Sequence, residues 1–235
     1  AAAGVAREAD ALTDPHVATL TPRLDGRTPV AGRPTLWLAH VSGRPPSRGS
    51  DAIRRALADL SPAPDAGASG LLDRAWIRAS LRAADLPVAP LLAALPEAHT
   101  HVRMNGDLAP WNVRVDGPRT TFLDWEESRP DGLLGVDAAH ARLAEALQLD
   151  HVSPTRAVAR AAADLRTPVD GDDRHGWGAD AAHALVALAA AWRVHRTRRD
   201  GGPEAPPGAW RAAAHAAVRQ IGSTEDAKSR KGTRT

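Results

Sequence analysis

Cysteine and tyrosine are absent from the 235-residue sequence, phenylalanine and methionine occur once each, and lysine is found only at Lys228 and Lys231. Without cysteine there are no disulfides and no thiolate metal sites, a usage that fits a reducing compartment such as the cytoplasm. Long apolar runs are missing too. The longest, around Ala184 to Trp192, is too short to span a bilayer and ends in Arg193 and His195, so a buried helix is expected there and no membrane association. The first residues lack the basic start and apolar stretch of a signal peptide. They also lack an initiator Met, so the natural N-terminus is expected to lie upstream.

Neither sign of charge is in strong excess. Thirty Lys and Arg oppose 28 Asp and Glu, giving a formal net charge of +2, although the isoelectric point is about 9.8. With no Cys or Tyr and few Lys, little titrates between His and Arg, and the charge curve stays shallow. The high isoelectric point is therefore no argument for nucleic acid, and no nucleic-acid partner is expected. The one basic cluster, Lys228 to Arg234, is expected to be part of a solvated, disordered tail covering 223–235.

What is present is Ala, Arg, Gly and Pro, in a chain long enough for one sizeable domain or a large lobe with part of a second. Arg7 to Ala11 has a helical pattern, broken at Pro15. Val17 to Leu24 and Thr35 to Val41 are two strand-like runs that can pair as neighbours. Helical patterns follow at Asp51 to Leu60, with Ser50 or Asp51 as N-cap, at Leu71 to Ala84 and near Leu91 to Leu95. Short extended runs then occupy His101 to Met104, Trp111 to Val115 and Thr120 to Leu123, punctuated by Gly106-Asp107 and by Asp116-Gly117-Pro118. Beyond Gly132, Val136, His140, Leu143 and Leu147 share one helical face, and Ala181 to Arg199 and Ala209 to Ile221 form further helices. A few strands, then helices, with a hairpin inserted among them, define an α+β class.

The densest chemistry lies in the middle. Asn105-Gly106-Asp107-Leu108-Ala109-Pro110-Trp111-Asn112 places an acid and an amide on a loop between two strands, and Phe122-Leu123-Asp124-Trp125-Glu126 adds a second acid after the next strand. Phosphoryl transfer asks for such a set: one carboxylate to orient or deprotonate the attacking hydroxyl, and an amide oxygen with a second carboxylate to hold magnesium. The plainer reading is a pair of polar turns built on Asp107 and Asp116, with Trp111 in the core.

At these residues the sequence resembles the aminoglycoside phosphotransferase family and its choline-kinase-like relatives. Their loop reads His-Gly-Asp, four residues, Asn, with an Asp at the end of the following hairpin. The resemblance implies a protein-kinase-like fold, with 1–43 as a partial N-terminal lobe and hinge and 44–222 as a mostly helical C-terminal lobe carrying the catalytic hairpin. It implies Asp107 as catalytic base, Asn112 and Asp124 as Mg²⁺ ligands, ATP as phosphoryl donor and a small-molecule alcohol as acceptor. Leu36 to Gly43 resembles the interlobe hinge, where backbone groups of Ala39 and Val41 would face the adenine. Asp131-Gly132 with Val136-Asp137 resembles the segment beyond the metal-binding Asp.

Two departures from the family stand out. Its phosphate-covering loop and phosphate-holding Lys have no counterpart, since both lysines follow the last helix. The chain is then expected to be a shortened kinase, or one that has lost its ATP-gripping strands and serves as a non-catalytic binding module; a purely structural helical domain would need Asp107, Asn112 and Asp124 far apart. Glu8 stands where the partner of that Lys would be, and equally suits a solvated helix surface. The second departure is Asn105 in the place of the family's His, which ties the loop to the metal-binding segment; Asn also donates and accepts.

Elsewhere, His99 and His101 lack a third ligand at zinc spacing and are expected at the surface or as caps. Trp37, Trp76, Trp125, Trp192 and Trp210 are expected as core or half-buried anchors. Asp170, Asp172 and Asp173 form an acidic stretch, read either as a solvated loop or as an attraction for a cationic acceptor.

Overall fold

The computed structural model describes residues 2–60, 70–71, 74–95, 101–169, 176–202 and 208–222. His99, Asp170, Asp172, Asp173 and the tail 223–235 lie outside the described residues. The fold is α+β, and among the described residues no helix is long and apolar enough to cross a membrane. The chain divides into two compact units, Ala1–Gly67 with Thr100–Ala141 and Ala68–His99 with Arg142–Thr235.

The first unit opens with α1 (Ala2–Leu12). The expected strand Val17–Leu24 is replaced by turns over most of its length. The Asp14 carboxylate accepts the His16 amide, and Val17, Ala18 and Leu20 each donate to the carbonyl three residues back. Asp14-Pro15 is a strong turn signal, and it overrides the β-preference of Val17 and Thr19. Val17 and Leu20 still enter the core. The strand begins only at β1 (Leu24–Arg27), which pairs antiparallel with β2 (Leu36–Leu38). Trp37 stands exposed on β2 at 53 %, contrary to its expected role as an anchor.

α2 (Ala52–Ala58) follows, its Ala52 amide received by the Ser50 hydroxyl. β3 (His101–Met104) falls where the sequence places it. The next extended run is shorter than expected, because Pro110–Asn112 forms a 3₁₀ turn and β4 (Val113–Asp116) starts after it. β4 pairs with β5 (Arg119–Phe122) in register, closed by the turn at Gly117-Pro118.

β6 (Arg129–Leu133) has no counterpart among the expected strands; it pairs antiparallel with β3. Gly132 permits this pairing, since a Cβ there would lie 2.6 Å from the Met104 side chain. α5 (Val136–Ala144) begins in this unit and carries Asp137 and His140. Arg103 of β3, itself buried, reaches Asp10 and Asp14 and anchors the end of α1.

The second unit is helical: α3 (Ala75–Ala84), α4 (Val88–Ala94), α6 (Pro154–Arg166), α7 (Ala179–Arg199) and α8 (Ala209–Val218), with a π-helical turn at Glu145–Leu149. α7 packs against α3, α4, α6 and α8. Its stretch Ala184 to Trp192 is buried throughout, as a helix apolar on all sides must be. Trp192 meets Trp76 of α3 edge to face at 5.7 Å, and burial of each such ring contributes about 1.5–3 kcal/mol. α6 was not anticipated from the sequence, although Ser153 caps it and Pro154 opens it.

Candidate functional site

β3 delivers the chain into the loop Asn105–Ala109, and this loop is held from several sides. Gly106 has φ +82°, and a Cβ on it would sit 2.4 Å from the Glu127 carbonyl oxygen, so only glycine fits. The Asn105 and Gly106 amides donate to the two carboxylate oxygens of Asp137, at 2.6 and 3.0 Å. Asp137 is buried, and the loss of water pushes its carboxyl up to about 6, against the lowering pull of the two amides and with a further raising contribution from Asp107.

The Asn105 side chain is the hub. Its Nδ2 donates to the carbonyls of Leu123 and Asp124, both at 3.2 Å, while its Oδ1 accepts the Asp107 amide at 3.1 Å. Both ends of this buried amide are thus used. Asn112 Nδ2 donates to the Asp107 carbonyl at 3.1 Å, and the Asn112 carbonyl accepts the Leu123 amide at 2.7 Å. Asp107, Asn112 and Asp124 therefore belong to one hydrogen-bonded set spanning the loop, the 3₁₀ turn and the end of β5. The Asn112 amide nitrogen is committed to the Asp107 carbonyl, which fixes which end of the side chain carries the oxygen.

Asp124 is exposed and has φ +57°, a left-handed conformation that Asp tolerates better than most residues. Asn105 holds its carbonyl. On the other side Glu8 of α1 accepts the Trp125 amide at 3.4 Å. Burial raises the Glu8 carboxyl; the Trp125 amide opposes this, and the charges of Asp124 and Glu126 add to the rise. Arg7 fastens the same helix, its Nε donating to the Glu126 carbonyl at 2.6 Å. Glu8 is half-buried rather than a solvated surface charge, and its contacts are with the Trp125 amide and the charge of Asp124.

Sequence reasoning read Asp137 only as part of a resembling segment and His140 only as a helix-face residue. His140 is buried, its Nδ1 2.8 Å from the Leu108 carbonyl oxygen and its Nε2 3.8 Å from Asp107 Oδ1. The available signal was their helical spacing, which puts both on one side of α5.

Ala39 and Val41 line a second feature of the first unit, a cleft of about 350 Å³ shared with Arg23, His40, Ser42, Asp116, Arg119 and Thr121. The Ala39 amide donates to the Arg23 carbonyl at 2.9 Å, while the Ala39 carbonyl and the Val41 amide join no hydrogen bond among the described residues. The segment is clipped to the β4–β5 hairpin by reciprocal Arg44 and Val115 backbone bonds at 3.1 and 2.8 Å and by Ser42 on Asp116.

Among the described residues no group of three or more His, Cys, Asp or Glu side chains is arranged around a common metal position. The donors at the loop are instead one amide oxygen and carboxylates, hard ligands that suit Mg²⁺, which keeps much of its water and needs few protein ligands. No protein-family model, curated protein or solved structure matches the chain.

Proposed function

We propose that the chain carries the catalytic loop of an ATP-dependent phosphotransferase acting on a small-molecule hydroxyl, of the aminoglycoside phosphotransferase and choline kinase type and with a protein-kinase-like fold. One observation carries the reading: the Asn105 side chain joins Asp107 to Asp124 directly, the tie that its family counterpart His is expected to make. The order of elements supports it, with the hairpin β1–β2, the hinge segment, the loop after β3, the β4–β5 hairpin and then Asp124.

In this reading Asp107, half-buried, orients the acceptor hydroxyl and receives its proton as the oxygen attacks the γ-phosphorus, while the bond from that phosphorus to the β–γ bridging oxygen breaks and ADP leaves with the electron pair. Asn112 and Asp124 would hold Mg²⁺, which supplies charge neutralisation for the phosphates when bound. The Ala39 carbonyl and the Val41 amide offer an acceptor and a donor for the adenine edge. Glu8, next to Asp124, is a carboxylate suited to a cationic partner.

A second reading is favoured by one observation: no Lys lies among the described residues, so no Lys there grips the α- and β-phosphates. In that reading the same fold binds a small ligand or a protein and transfers nothing.

Calorimetric titration of the protein with ATP, with and without Mg²⁺, separates the two readings. Transfer from ATP to a panel of amino-alcohols and aminoglycosides then tests the first directly. Magnesium-dependent ATP binding lost in Asp124→Ala, with transfer lowered about 10²–10⁴-fold in Asp107→Ala, is the expected result. Absence of both binding and transfer, also in a chain extended upstream of Ala1, removes the phosphotransferase reading.

A further inference from the structure

His140 is a buried titratable side chain for which the phosphotransferase reading has no use, and both of its ring nitrogens are directed at one short stretch of the catalytic loop. A backbone carbonyl can only accept, so the 2.8 Å contact with Leu108 places a hydrogen on Nδ1. Nε2 then lies 3.8 Å from Asp107 Oδ1, on the residue just before. A histidine buried merely for packing does not need its two nitrogens matched to consecutive residues of a polar loop.

We infer that His140 is a positioning residue for Asp107: it donates through Nδ1 to the Leu108 carbonyl and, as the imidazolium, turns a protonated Nε2 toward the Asp107 carboxylate, so that Oδ1 is drawn toward α5 and the other oxygen is left for the acceptor hydroxyl. The catalytic part of this role rests on the phosphotransferase reading; the contact does not.

The way α5 grips the loop supports the assignment. Asp137, one helical turn before His140, takes the amides of Asn105 and Gly106, and His140 takes the carbonyl of Leu108. The backbone of Asp107 is thereby bracketed on both sides by bonds from a single rigid helix. Its side chain retains rotation about χ1, with its staggered wells, and about χ2, which is broad. A protonated Nε2 at 3.8 Å attracts Oδ1 and biases the carboxylate toward one orientation. Misplacement of a reacting group by about 1 Å can cost about 10²-fold in rate, so the benefit of such a contact is large relative to its size.

Two readouts test the assignment. The first is independent of activity: the imidazole nitrogens of His140 are followed by long-range ¹⁵N–¹H correlation in the wild type and in Asp107→Asn, the signal being assigned by its loss in His140→Gln. Coupling predicts a protonated Nδ1 in both proteins and a titration midpoint that falls by about half a pH unit or more once the carboxylate is gone. An unchanged His140 signal overturns the assignment.

The second readout uses kinetics. Asn at position 140 can keep a donor for Leu108 but reaches nothing at Asp107, whereas Gln extends toward the Nε2 position. Positioning predicts a fall in kcat of about 10-fold to 100-fold in His140→Asn, with KM for ATP unchanged and partial recovery in His140→Gln. Equal losses in both variants, in step with their melting temperatures, mean a packing role and overturn the assignment. Coupling by resonance in a protein that transfers no phosphate leaves the contact standing and removes the phosphotransferase reading instead.

Discussion

Asp137 accepts the amide of Gly106 at 3.0 Å, joining a buried carboxylate on α5 to the one loop position where a side chain cannot fit. The same carboxylate takes the Asn105 amide. Two donors that would otherwise be buried and unsatisfied depend on it, and leaving such a group unpaired costs about 1–3 kcal/mol. Asp137→Ala is therefore expected to lower the unfolding free energy by about 2–4 kcal/mol, measured by urea titration. A loss under about 0.5 kcal/mol, the range of ordinary surface substitutions, would show that water or another group satisfies the amides.

The acidity of Asp137 gives a signed pH dependence. Its carboxyl is raised from 3.8 to about 6 in the folded protein. Below the lower value it is protonated whether the chain is folded or not. Between the two values the folded state holds more proton, so the residue's contribution to stability falls as pH rises through this window and levels off above it, a change on the order of 3 kcal/mol. The advantage of the wild type over Asp137→Asn is expected to be larger near about pH 4 than near about pH 7, read from urea titrations of both proteins. A constant difference would refute the weakened acidity of Asp137.

Gly106→Ala brings two penalties together, a positive φ and a Cβ placed 2.4 Å from the Glu127 carbonyl oxygen. Backbone on one side or the other has to move. A loss of about 2–4 kcal/mol is expected, beyond the order of 1 kcal/mol for left-handed strain alone. Differential scanning calorimetry gives the answer. A melting temperature within one degree or so of wild type would mean that the loop adapts freely.

In the phosphotransferase reading Asp124 sets stability against function. At φ +57° its backbone is relaxed by glycine but not by alanine. Asp124→Gly is expected to be more stable than Asp124→Ala by about 1 kcal/mol, while both lose magnesium-dependent nucleotide binding. Equal stability of the two variants would mean that the left-handed turn is not maintained without the Asp side chain.

How much of this was legible in the sequence differs from element to element. β3 and the β4–β5 hairpin were readable because their signals are local: extended residues bounded by Gly106-Asp107 and by Asp116-Gly117-Pro118. β6 was not, because Arg129-Pro130-Asp131-Gly132 contains two residues that strands avoid, and only pairing with β3 makes the segment extended. Val17 to Leu24 failed in the opposite sense, its β-preference overruled by the turn at Asp14-Pro15.

The sequence by itself determined which side chains are the candidates at the loop, Asp107, Asn112 and Asp124, because they lie close along the chain on elements with strong local signals, while the resemblance pointed to Asn105 as the residue in the place of a tying His. Tertiary structure alone decided that Asp137 and His140 of α5 hold the loop and that Glu8 of α1 stands beside Asp124. Those contacts join residues about thirty to more than a hundred positions apart. No local pattern encodes such a meeting; it follows only when burial of the shared core brings the helices onto the loop.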